Sequence, residues 1–275
     1  MLNSKLSGTV CCSLFVIFVC IPFVSYQHPQ NGRALPDSNT DAFTTTAAVA
    51  KVQLNRNAVA YVRDYIQKNN ETLVDVKQRS KATFQAMDIV FKKYGLPVEL
   101  KYLAVIESEL KPGAVSRVGA AGPWQLMPET AKILGLKVSA ANDERKQFGK
   151  STRAAAVYLR DLYTEFGDWL LVMAAYNCGP GPVYTAIRKS GSHNFWSLQA
   201  YLPEESREHV KKFIATHYYF EGNGSATTLT KAENTRRNLQ LLKLAAAQIE
   251  RASAKQEAGF QNELKRFEQA VAFGD

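Results

Sequence analysis

The sequence predicts an all-α protein. Apolar residues recur at helical spacing from residue 58 to the C-terminus, and glycine and proline stand where those runs stop and start. Alternating, strand-like segments are almost absent. Apolar residues make up 46% of the chain and charged residues 21%, a balance that lets it bury one sizeable core. No second block of composition stands out and no repeat is visible, so one domain with extensions is expected.

Residues 1–26 carry a single charge, Lys5, and 9–26 are almost wholly apolar, which reads as a signal peptide or signal anchor. The run is borderline for a transmembrane span, which needs about 20 apolar residues. Cys20 lacks the small preceding residue that a lipid-acceptor site needs. Residues 27–48, rich in Pro, Asn, Asp and Thr, read as a polar linker. An exported protein, held in the periplasm or cell envelope, is therefore expected, with membrane contact only through this N-terminal segment.

The folded domain is expected over 49–222. A helix over 58–67 puts Val62 and Ile66 on one face, and a second over 72–93 ends at Gly95, ahead of Pro97. The helix over 97–110 turns Val98, Tyr102, Val105 and Ile106 inward. Residues 111–125, rich in Gly, Ala and Ser, are irregular, and a short helix then runs from Pro128 to Gly135. The segment 151–166 is helical, with Ala154, Val157, Tyr158, Leu162 and Phe166 in register. Residues 169–176 are apolar nearly all round, so that helix belongs at the centre. The last domain helix starts at Pro203 and carries Val210, Phe213, Ile214 and His217.

A helical extension over 226–275 follows the turn at 221–225. Its end bears a narrow stripe of Phe260, Leu264, Phe267 and Val271. Docking on its own domain is the first expectation for that stripe. Pairing with a helix of a second copy, or of an envelope protein, is the alternative.

The net charge is +9, which invites a polyanionic partner. The cations lie among acids, as in Asp143-Glu144-Arg145-Lys146, with no dense basic arm, so a solvated surface is expected and nucleic acid is not. Outside the leader, Cys178 stands alone and the four His residues are scattered, so no disulfide, zinc site or other metal or cofactor is expected.

Glu107 lies near the end of an apolar helix, beside Val105 and Ile106 and just before the irregular loop. A carboxyl partly removed from water favours its protonated form and can give a proton to a leaving oxygen. A solvated helix glutamate is the commoner outcome for such a residue. Glu109 is expected on the opposite side of the helix.

The surrounding residues narrow the choice. Glu107-Ser108 is followed by Ala114-Val115-Ser116, Gly119-Ala120-Ala121-Gly122, Gln125 and Met127-Pro128-Glu129-Thr130-Ala131. Ala174-Ala175-Tyr176-Asn177-Cys178-Gly179 comes next, then Leu202-Pro203-Glu204-Glu205 at the start of the last domain helix. In this order the three blocks resemble the motifs of the family 1 lytic transglycosylases. The lead-in at 53–79 and 95–108 is most similar to the membrane-bound D branch, which often adds LysM repeats after its catalytic domain; none is visible here. The resemblance runs from about Val52 to His217.

The resemblance implies a goose-lysozyme-like helical domain with a groove for peptidoglycan glycan strands. It implies that Glu107 protonates the β-1,4 glycosidic oxygen between N-acetylmuramic acid and N-acetylglucosamine. Glu107 would then take the proton of the muramic C6 hydroxyl as that oxygen closes a 1,6-anhydro ring. One carboxylate can serve both steps, unlike the paired carboxylates of most glycosidases, and no strong second carboxylate stands out. Ser116, Gln125, Met127, Tyr176, Asn177 and His209 match positions that contact substrate, with the Tyr176 hydroxyl expected on the Glu107 carboxyl. The plainer alternatives are a turn cap for Ser116, a loop-bracing amide for Gln125 and core packing for Met127.

Four positions depart from the family pattern: Pro123 and Trp124 stand where Leu or Ile is usual, His209 where a groove Tyr is typical, and Cys178 where Ser is common. Two other functions stay open at this point. One is a hydrolytic goose-type muramidase with the same fold and the same Glu107; the other is an inactive glycan-binding scaffold.

Overall fold

A computed structural model describes residues 52–272; the N-terminal apolar segment and the linker lie outside the described residues. Eleven α-helices and four short 3-10 turns account for the described chain, with isolated bridges in place of strands. The all-α expectation holds for these residues, and no helix among them is long and apolar enough to cross a membrane.

The first three helices are α1 (Arg56–Lys68), α2 (Asn70–Arg79) and α3 (Lys81–Lys93). The single helix expected over 72–93 is thus broken at Ser80, which is buried. At the break, Arg79, the last residue of α2, donates from Nη2 to the carbonyl of Glu109 at 2.9 Å. The helix expected over 97–110 begins as a 3-10 turn (Val98–Lys101) and continues as α4 (Tyr102–Ser108).

After the irregular loop come α5 (Pro128–Ile133), a 3-10 turn (Glu144–Lys146), α6 (Phe148–Phe166) and α7 (Trp169–Cys178). Every residue of α7 from Trp169 to Ala175 is buried, as its all-round apolar sequence requires. α6, α8 and α10 all pack against it. The helix α8 (Pro180–Ser190) was not anticipated. It opens with Pro180 at its first turn and closes on left-handed Gly191.

The packed body is completed by α9 (Phe195–Leu198) and α10 (Glu204–Glu221). α10 lies across α1, α4 and α7, and thereby joins the two halves of the motif sequence. Beyond the turn, Thr227, Thr228, Leu229 and Thr230 are still buried, so the body runs past residue 226 before α11 (Lys231–Ala272) leaves it.

Docking of the α11 stripe on its own domain is not observed. Phe260, Leu264 and Phe267 are 60%, 42% and 68% exposed.

Candidate active site

Glu107 is placed by the way α4 ends. The chain leaves the helix through two successive left-handed residues, Glu109 (φ 54°) and Leu110 (φ 65°). The Leu110 N–H reaches back to the Ala104 carbonyl at 3.1 Å and the Glu109 N–H to Val105 at 2.8 Å, which closes the last turn. Left-handed backbone costs a non-glycine residue on the order of 1 kcal/mol, and burial of the Leu110 side chain with the Arg79 bond to Glu109 holds it there. The Glu109 carboxylate turns out to Lys111 at 2.7 Å, while the Glu107 side chain is only 15% exposed.

The loop after α4 is folded over the end of that helix. Ser108 donates to the Pro123 carbonyl at 2.9 Å. Being rich in Gly and Ala, the loop has few side chains of its own to satisfy its carbonyls, and Arg145 supplies the donors. Its buried guanidinium gives Nη1 to Gly119 O at 2.7 Å and to Leu126 O at 2.9 Å, and pairs with Asp143 through Nε and Nη2. Hydrogen bonding from Arg145 holds the Asp143 carboxyl below its ordinary range. Glu144 is also lowered, first by the Lys137 N–H and then by Lys150. The solvated surface expected for Asp143-Glu144-Arg145-Lys146 is therefore wrong for its two middle residues, which are buried. A loop full of unaccompanied backbone carbonyls is the signal that a donor must come from elsewhere.

Within the loop, the Ser116 hydroxyl accepts from the Ala120 N–H at 3.0 Å, the turn-capping role. Gln125 sits at φ 45° and donates its amide to Gly122 O at 2.9 Å, so it braces the loop. Trp124 is fully buried, with its indole N–H on Thr152 and its ring edge-on to Phe91. Met127 is 39% exposed, so it is not core.

From α7, the Tyr176 hydroxyl donates to the Trp124 carbonyl at 2.6 Å, and not to Glu107 as expected. Burial pushes that hydroxyl well above its ordinary pKa, and the nearby charge of Glu107 adds to the shift. Asn177 accepts from Ser206 of α10 at 2.6 Å. The Cys178 thiol is turned to the Ala174 carbonyl and raised by burial. From α10, His209 Nε2 lies 2.8 Å from Glu107 Oε1.

The structure thus brings Glu107 into contact with His209 and sets Tyr176 close by. Asn177 ties α7 to α10, and Ser116 and Gln125 hold the loop. Arg145 and Ser206 are the members that sequence reasoning missed. A partly exposed carboxyl with one oxygen engaged can give or take a proton at the other. Among the described residues, no group of three or more His, Cys, Asp or Glu side chains is placed to hold a metal ion.

Residues 87–199 match the family model described as Transglycosylase SLT domain. Membrane-bound lytic murein transglycosylase D of Escherichia coli (strain K12) is 39% identical over 153 residues, covering 54% of this chain and 33% of that protein. Soluble lytic murein transglycosylase of the same strain is 30% identical over 147 residues, 49% of this chain and 23% of that protein. The chain spans about a third of the length of the first of these curated relatives. Among solved structures, the 70 kDa soluble lytic transglycosylase of Escherichia coli aligns with TM-score 0.46 and 23% identity, over 66% of this chain and 33% of that one. Over residues 87–199 the chain is thus similar to the transglycosylase SLT domain, and over 153 residues to a membrane-bound lytic murein transglycosylase.

Proposed function

We propose that this chain is a lytic transglycosylase of peptidoglycan. It cleaves the β-1,4 bond between N-acetylmuramic acid and N-acetylglucosamine and leaves a 1,6-anhydro-N-acetylmuramic acid end. The observation that carries this reading is the setting of Glu107, a mostly buried carboxyl at the end of α4, in contact with His209 of α10 and near Tyr176 of α7. The SLT match and the 39% identity to a murein transglycosylase support it.

In the proposed reaction Glu107, protonated, gives its proton to the glycosidic oxygen as the C1–O bond breaks. The C6 hydroxyl oxygen of the same muramic residue then bonds to C1, and the Glu107 carboxylate takes up the proton it releases. The carboxyl returns to its starting state, and no water is consumed. Met127 offers an exposed apolar surface to a sugar. Ser116 and Gln125 act by fixing the loop that follows Glu107, and Asn177 and Tyr176 by fixing α7 against α10 and the loop.

The same reading places the protein in the cell envelope, where the wall is. The N-terminal apolar segment is its membrane contact or export signal, 49–222 its catalytic domain and α11 a surface for envelope partners. The net charge of +9 suits a polymer whose peptide stems carry carboxylates.

Mass spectrometry of purified walls digested by the parent protein and by Glu107→Gln tests the proposal. Anhydro-muropeptides from the parent, and none from the variant, are expected. Products heavier by one water would replace this reading with a hydrolytic muramidase, and clearing by Glu107→Gln would remove Glu107 from the chemistry.

A further inference from the structure

Resting on the reading above, a second residue enters the chemistry of Glu107 through a single contact. His209 reaches from the buried side of α10 and meets the carboxyl with Nε2, 2.8 Å from Oε1. Its ring is almost as enclosed as a core side chain, at 9% exposure. The other ring nitrogen, Nδ1, is buried and has no hydrogen-bond partner. Two nitrogens in such different surroundings make the ring's proton easy to place.

A contact of 2.8 Å between nitrogen and carboxylate oxygen needs a proton between them. When Glu107 is ionised, only Nε2 can supply it. When Glu107 is protonated, two arrangements compete. Either the acid proton sits on Oε1 facing a bare Nε2, or Nε2 keeps its proton and Oε2 carries the acid one. The first arrangement moves the ring proton to Nδ1, where it finds no acceptor. An N–H buried there without an acceptor is destabilising.

We propose that His209 is the positioning residue of Glu107. It donates from Nε2 to Oε1, which leaves Oε2 as the oxygen that exchanges protons with the substrate. His209 therefore fixes which oxygen works and in which direction it points. Tyr176, the other titratable group shown to feel the Glu107 charge, is kept neutral by burial and bonded to Trp124, so it does not compete for Oε1.

Two measurements on the full chain decide this. In the first, the ring of His209 is labelled with 15N and its two nitrogen shifts are followed from pH 5 to 8. A protonated Nε2 is expected; a ring that carries its proton on Nδ1 and none on Nε2 overturns the assignment whether or not the protein cleaves walls. In the second, kcat, KM and the pH profile are compared for the parent, His209→Gln and His209→Phe. Gln offers an N–H donor with no titration, whereas Phe offers none.

Loss of the donor is expected to lower kcat on the order of 100-fold with little change in KM, the scale of a misaligned reacting group. Gln should recover most of that loss and keep the shape of the parent's pH profile. A Phe variant with the parent's kcat overturns the proposal. So does a folded Gln variant as slow as Phe, since it shows that the ring must titrate. Failure of Glu107→Gln to abolish cleavage would sink the reaction instead, and would leave the tautomer measurement standing.

Discussion

At the scale of single residues, the site depends on contacts that admit no extra atom. Gly122 is the sharpest case. It sits at φ +80°, and a Cβ there would lie 1.9 Å from the Arg145 carbonyl oxygen. Gly122→Ala therefore forces the loop away from the Arg145 clamp. A loss of about 2–4 kcal/mol is expected, the range for combined backbone strain and disrupted buried bonds. Urea denaturation reads it, and an unchanged midpoint would show that the loop is not held as described. Glu107 was legible in the sequence because helix, loop and motif order converge on it. Arg145 was not, because an arginine among Asp, Glu and Lys looks like any solvated surface run. Only the fold reveals that Gly119 O and Leu126 O lie within its reach. His209 stood out as a departure from the family pattern, but its contact with Glu107 spans 102 residues and no local pattern encodes it.

At the scale of elements, one carboxylate joins two helices. Asp168 accepts the N–H groups of Leu170 and Leu171 as the N-cap of α7, and its other oxygen accepts the Lys231 N–H at 2.6 Å as α11 begins. Burial raises its carboxyl above the ordinary range even so. Asp168→Ala should cost about 2–4 kcal/mol, one cap plus orphaned donors. It should also speed amide exchange in the first turn of α11. Exchange unchanged at 231–234, with the stability loss confined to α7, would refute the shared cap. Helix existence was legible wherever apolar spacing was long, as in α6, α7 and α10. Boundaries were not. The break between α2 and α3 has no glycine or proline to announce it; it falls at buried Ser80, next to Arg79, which bonds to Glu109, 30 residues on. The helix α8 went unread because its apolar stripe is short and opens with two prolines within four residues.

The whole molecule carries a pH dependence through His217. This ring is fully buried against Ser225, and burial lowers its pKa from 6.5 to about 4. On acidification the unfolded chain takes up a proton near pH 6.5, whereas the folded one does not until about pH 4, so the unfolded state binds more protons in that interval. The full stability is present above about pH 6.5 and is lost progressively down to about pH 4, by about 3 kcal/mol from this group. His217→Gln should flatten that part of the stability curve. Equal slopes for parent and variant in urea midpoints between pH 7 and 4.5 would assign the dependence elsewhere. At this scale the all-α class and the central place of α7 were legible from composition and period. The free course of α11 was not, since an apolar stripe at four-three-four spacing looks the same whether or not anything covers it.

The shared root of α7 and α11 has a mechanical side. A helix of 42 residues is about 63 Å long, several times the length of α7. Its first turn is fastened to Asp168, where α7 starts, and α7 ends at the Tyr176 and Asn177 that brace the site. Force applied sideways at the far end of α11 is multiplied by that length and arrives as torque on its root, where Asp168 holds Lys231 and Asn55 holds Glu233. Whatever takes hold of the long helix thus pulls, through one lever, on the same strut that carries Tyr176 and Asn177.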